Sequence, residues 1–107
     1  MGAEKIIRLN NNNEVFDQIE RFLKGKQLKN ENTFKSYKKS IERFFLIVKN
    51  KELEFLSVND IQISLDDMED YISYMTSETD LNNKSINQSV SSIKELLRYL
   101  KLKKLTN

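Results

Sequence analysis

The chain has 107 residues, 32% of them charged, with a formal net charge of +2 and no Cys, His or Pro. That length suits one domain able to bury a core without staples. The missing Cys and His remove disulfides, thiolate metal sites, the commonest metal ligand and the commonest general base, and the longest apolar run, 44–48, is far too short to span a bilayer.

The start of the chain has no apolar signal-peptide core. A cytoplasmic, cofactor-free domain with no membrane partner is therefore expected. Heavy use of Lys, Asn and Ile fits a bacterial or phage source. Only two Gly, no Pro and little β-branched alternation point to an all-α fold. The small net charge hides a strict order. Residues 24–51 carry nine Lys or Arg against two Glu, 54–80 carry eight acids and no base, and 81–107 carry six Lys or Arg against one Glu. Segregation of this kind speaks about partners more than the total does.

Residues 1–13 are expected to form a flexible arm, because the Asn run 10–13 favours turns and caps. The helical core is expected over 14–102. A first helix is predicted over 14–24, N-capped by Asn13 and closed by Gly25, with Val15, Phe16, Ile19, Phe22 and Leu23 inward. A polar linker, 25–31, follows. The second helix, capped by Asn30 or Asn32 and ending near Lys49, aligns Phe34, Tyr37, Ile41, Phe44, Phe45 and Val48 in one stripe. Lys35, Lys38, Lys39 and Arg43 lie beside and behind it.

After a turn, Phe55, Leu56, Val58 and Ile61 are expected to anchor the crossing, and Ser57 to Asp60 has capping-box spacing. The third helix is predicted over 65–76 from the box Ser64 to Asp67. Its stripe is Leu65, Met68, Ile72 and Met75 with Tyr71, and its outer face is acidic through Asp66, Asp67, Glu69 and Asp70. Acids in a first helical turn are what the dipole favours, and no further ligand set accompanies them, so no metal site is expected. The fourth helix, 86–102, starts from a Ser85 to Gln88 box and buries Ile86, Val90, Ile93, Leu97 and Leu100. Its flank Asn87, Ser91, Lys94, Arg98 and Lys101 has the same spacing and no acid. Residues 103–107 read as the start of a linker.

No nucleotide-binding or metalloprotease motif is present. Tyr74 and Tyr99 lie off their apolar stripes and read as amphipathic surface tyrosines. What remains is the basic surface of the second and fourth helices. Lys and Arg gain affinity for duplex DNA by releasing counterions, and Asn87, Gln88 and Ser91 have the size and polarity to reach base edges from a helix. Lys84, Lys94 and Arg98 suit phosphates or guanine. The alternative is a helical protein-interaction module whose docking surface is the acidic third helix.

Two stretches resemble a known family. T-F-K-S-Y-K-K-S-I-E-R-F at 33–44 resembles the T-x-x-x-Y-x-x-x-L-x-x-F helix of phage-integrase-type tyrosine recombinases. K-S-I-N-Q-S-V-S-S-I-K at 84–94, followed by Leu97, Tyr99 and Leu100, is similar to that family's S-x-x-T-I-N-x-x-L-S-A-L-R helix. Between them Y-I-S-Y-M at 71–75 varies the usual Y-L-x-x-L. The resemblance implies the N-terminal core-binding domain, a SAM-like bundle of four main helices that forms half of a C-shaped clamp on the recombination site.

It also implies that Thr33, Ser36, Lys38 and Lys39 of the second helix and Ser85, Asn87, Gln88, Ser91 and Lys94 of the fourth face double-stranded DNA; the basic surface read from the residues themselves adds Arg43, Lys84 and Arg98 to the expected contacts. Lys94 stands where the family often has Arg, which keeps the charge and loses the planar fork. Ser89 stands where a basic residue is common. The family's cleavage residues, among them an H-x-x-R motif, belong to a separate catalytic domain absent from this chain, so no catalytic residue is expected here. The implied partners are the recombination site and other protomers in a DNA-bound tetramer, with the isolated domain monomeric.

Overall fold

A computed structural model describes the backbone of residues 3–106 and the side chains of residues 14–106. Four α-helices, α1 (Ala3–Lys29), α2 (Glu31–Lys49), α3 (Leu65–Glu78) and α4 (Asn83–Leu102), are joined by short connections, with two single-turn 3₁₀ helices, Leu53–Phe55 and Asn59–Ile61, between α2 and α3. The architecture is all-α, as the composition indicates. Among the described residues no helix is long and apolar enough to cross a membrane.

The first helix is longer than its sequence signals suggest. Its backbone is already helical at Ala3, so Asn13 does not cap it; the side chains of 1–13, where the arm is expected, lie outside the described residues. Nor does Gly25 end it. One interior glycine costs about 1 kcal/mol against alanine, and the residues around it (Lys24, Lys26, Gln27, Leu28) are good helix formers. The helix runs through to Lys29, and the linker expected at 25–31 shrinks to Asn30. That residue closes one helix and opens the next: its N–H donates to Lys26 O (3.0 Å) while its Oδ1 accepts from Thr33 N–H (3.0 Å). A Cβ built on Gly25 meets nothing within 4 Å. Gly25→Ala is expected to raise stability by about 0.5–1 kcal/mol, read as a higher urea midpoint at unchanged slope.

α2 ends on Asn50, held at φ 57 and ψ 40, where Asn tolerates the left-handed region better than most side chains. α1 packs along α2, α2 runs beside α4, and α3 closes against both α2 and α4. The core takes Val15, Ile19, Phe22 and Leu23 from α1, and Ile41, Phe44 and Phe45 from α2. Met68, Tyr71 and Met75 come from α3, and Ile86, Val90, Ile93, Leu96 and Leu100 from α4. Phe44 stands edge-on to Phe45 and to Tyr71, with centroids 5.1 Å apart in both pairs. The Tyr71 hydroxyl is satisfied by Ser89 Oγ at 2.6 Å. Ser89, which stands where the resembled family commonly has a basic residue, is buried here and committed to the core.

Several sequence expectations shift by part of a turn. Leu65 and Ile72 are exposed; α3 turns Met68, Tyr71 and Met75 inward instead. Leu53 is buried in place of Phe55 and Val58, which face solvent, while Leu56 and Ile61 anchor the crossing as expected. α4 begins at Asn83 because Asn82 Oδ1 accepts Ser85 N–H (2.8 Å). Asn caps as well as Ser, so the earlier cap adds a turn and the box from Ser85 is not used. The other two boxes form. Ser64 and Asp67 exchange backbone N–H bonds at 3.0 Å each, and Ser57 and Asp60 do so at 2.8 and 3.3 Å.

Candidate nucleic-acid interface

α2 and α4 lie against each other, held by a three-helix clasp. The Tyr37 hydroxyl of α2 donates to Glu95 Oε1 of α4 (2.7 Å), and Lys26 Nζ of α1 pairs with Glu95 Oε2. Lys26 also sits over the rings of Phe22 and Tyr37, 5.2 and 4.8 Å from their centroids. Further along, Tyr99 of α4 packs at a tilt against Phe22 (ring centroids 5.4 Å apart) and donates to Gln18 of α1 (3.2 Å). Buried Ser40 on α2 and Ser92 on α4 are small enough to let helices pack closely. Glu95, the one acid of the basic stretch 81–107, is thus spent internally.

The clasp fixes which side of each helix remains open. On α2, Tyr37 and Ser40 face inward toward α4, so the outward residues nearest that neighbour are Ser36, Lys39 and the half-buried Arg43. Arg43 Nε has no hydrogen-bond partner among the described residues. Half-buried Thr33 opens the same flank. Lys38 is about 160° round the helix from Ser36. It pairs with Glu42 (3.7 Å) and, with Phe34, lines a hollow against Glu20, Leu23, Lys24 and Gln27 of α1. The structure therefore separates Lys38 from its companions.

On α4, Lys84, Gln88 and Ser91 share a row with Glu95 and run beside α2; all three are exposed. Ser85, half-buried, belongs to the capped first turn. Asn87, Lys94 and Arg98 form the next row outward, also exposed, on the side turned away from α2. Arg98 reaches a cleft of about 540 Å³ lined by Ile61, Gln62, Ile63, Ser64, Leu97, Lys101 and Thr106. Lys101 at that cleft is a cation the residue-matched set omits, although it extends the row Asn87, Lys94, Arg98 by three residues. Lys39, Lys84, Lys94 and Arg98 have no ion-pair partner among the described residues, whereas Lys26, Lys49 and Lys51 are paired with Glu95, Asp67 and Asp60.

The acids that do meet cations are structural. Asp67 lies below its ordinary 3.8, held there first by the Ser64 N–H bond and then by Lys49. Burial alone would raise Asp60, but the Lys51 ammonium at 2.8 Å and Ser57 outweigh it. Glu95 is lowered from 4.5 by its bonds to Lys26 and Tyr37. Tyr37 is pushed up to about 12 by burial and then by Glu95. The carboxylates favour the fold when ionised, so their contribution is complete above 4.5 and is lost as pH falls through the depressed folded values. The Tyr37 contribution is complete below 10 and is lost as pH rises through about 12. Thermal melts across pH should show a flat maximum between those limits, and Glu95→Gln should shallow the acid limb. Among the described residues no group of three or more His, Cys, Asp or Glu side chains comes together to hold a metal.

The arrangement offers a polarised surface of cations and short polar groups, suited to binding a polyanion. A family model described as "Phage integrase, N-terminal SAM-like domain" matches residues 17–104. A curated relative, the SPbeta prophage-derived probable integrase/recombinase YopP of Bacillus subtilis strain 168, is 31% identical over 105 aligned residues. The match covers 83% of this chain and 29% of the relative, so the chain spans under a third of that protein's length. No solved structure matches.

Proposed function

The chain belongs to the phage integrase N-terminal SAM-like domain family, and on that premise we propose that it grips duplex DNA through one face built from α2 and α4. The observation that carries the reading is the clasp. By binding Glu95 inward, it leaves Lys39, Lys84, Lys94 and Arg98 as cations without acid partners on two adjacent helices. Lys and Arg hold phosphates and set the register, while Ser36, Asn87, Gln88 and Ser91 reach base edges.

The role is positioning. In a tyrosine recombinase this domain clamps the recombination site for integration or excision, and bond cleavage belongs to a catalytic domain outside these 107 residues. Other protomers share the DNA in a tetramer, in the cytoplasm of a bacterium. Fluorescence anisotropy with a short duplex tests the reading. A grip on about four phosphates loses on the order of 100-fold in affinity for a fourfold rise in salt. Affinity independent of salt would refute it. The rival module, docking a protein on acidic α3 beside exposed Leu65 and Ile72, predicts no duplex binding at low salt.

A further inference from the structure

Two exposed apolar features outside the basic face are built as opposites. The first is a knob. In the 3₁₀ turn Leu53–Phe55, Leu53 and the following Leu56 are both buried, and Phe55 and Leu56 N–H bond back to Glu52 and Leu53 carbonyls at 3.0 and 3.2 Å. Pinned on both sides, Phe55 is forced outward and is 62% exposed. Beside it a hollow of about 380 Å³ is lined by Glu42, Leu46, Glu52, Leu53 and Glu54. Glu42 is shared with Lys38, but Glu52 and Glu54 have no ion-pair partner among the described residues.

The second feature is a notch. On the face of α1 opposite its buried stripe, a hollow of about 350 Å³ is lined by Glu20, Arg21, Lys24, Gly25 and Leu28. Gly25 leaves it one side chain deep, with nothing within 4 Å of where a Cβ would stand, and Leu28 at its edge is 80% exposed. The missing side chain lets an incoming ring approach the helix backbone, and Arg21 and Lys24 offer cations to its face.

We propose that Phe55 of one copy of this chain seats in the Gly25 notch of another, with Glu52 and Glu54 of the first against Arg21 and Lys24 of the second. The knob's rim carries the carboxylates Glu52 and Glu54, and the notch's rim carries Arg21 and Lys24 against the single acid Glu20, so it is net positive and the charges make a second copy the complementary partner. The two patches differ, so the contact is heterologous. It is small, well below a stable interface, and therefore weak unless copies are held together. Copies sharing one duplex, as in the DNA reading, would gain the needed effective concentration; the contact itself is testable without DNA.

The test is a dilution series followed by amide-resolved NMR on the chain alone, from about millimolar to tens of micromolar. Concentration-dependent shifts are expected at 21–29 and 52–56. Glu52→Lys with Glu54→Lys should abolish them, as should Arg21→Glu with Lys24→Glu, and mixing the two double variants should restore association at least tenfold over either alone. Gly25→Gln, which fills the notch with a better helix former, should abolish association while the melting temperature rises. Shifts absent at every concentration, a mixture that fails to associate, or undiminished association of Gly25→Gln would overturn the proposal and leave the DNA reading untouched.

Discussion

Replacing Lys39 and Lys94 together by glutamate is expected to weaken duplex binding by 10-fold or more at low salt, with the fold intact. Both side chains are exposed, and neither has an ion-pair partner among the described residues, so no internal bridge is lost. Surface substitutions of this kind stay within about 0.5 kcal/mol of wild-type stability. The loss has two parts. Two phosphate contacts disappear, which lowers the salt slope by about two, and two negative charges now face the backbone. Lys38→Glu serves as the internal control. That residue points toward α1 and pairs with Glu42, so its effect should be several-fold smaller. Anisotropy at two salt concentrations, with melts of each variant alongside, gives both numbers. An unchanged affinity in the double variant would mean that the α2–α4 face is not the DNA face.

Phe44→Ala is expected to cost about 3–5 kcal/mol. Phe44 is fully buried, edge-on to both Phe45 and Tyr71, so truncation leaves a void where α2 meets α3. A domain of this size has on the order of 5–15 kcal/mol in total, so the variant should melt far earlier or lose cooperative unfolding. Tyr71→Phe keeps the ring and removes only the bond to Ser89. It should cost about 1 kcal/mol, with Ser89 left to find another partner. Urea denaturation separates the two. Equal losses would show that the hydroxyl, and not ring packing, holds this junction.

The aromatic stripe of α2 was legible because Phe44, Phe45 and Ile41 leave no second way to turn a 3.6-residue helix. α3 was not. Its apolar residues Leu65, Met68, Tyr71, Ile72 and Met75 spread over a wide arc, and only packing against Phe44 and Ser89 selects Tyr71 over Ile72. Gly25 resembles a stop because a local breaker carries no sign of what lies beyond it; here the next residue, Lys26, is bound between two rings and Glu95. Asn82 and Ser85 are equivalent caps three residues apart, and sequence does not rank them.

For the candidate site, the charge pattern showed which helices are basic but not which side of each is open. That depends on the clasp, whose partners are 69 and 58 residues apart in the chain. Lys38 shares a helix with Lys39, but α1 covers one side of α2 and α4 the other. No local pattern holds that information.

The central claim, one DNA face made by two clasped helices, is most directly tested by an amide-resolved NMR titration with a short AT-rich duplex at low and high salt. Shifts should gather on the outward residues of 33–43 and 84–98, spare Lys38 relative to Lys39, and fade at high salt. Shifts absent at low salt, or confined to the acidic surface of α3, would contradict it.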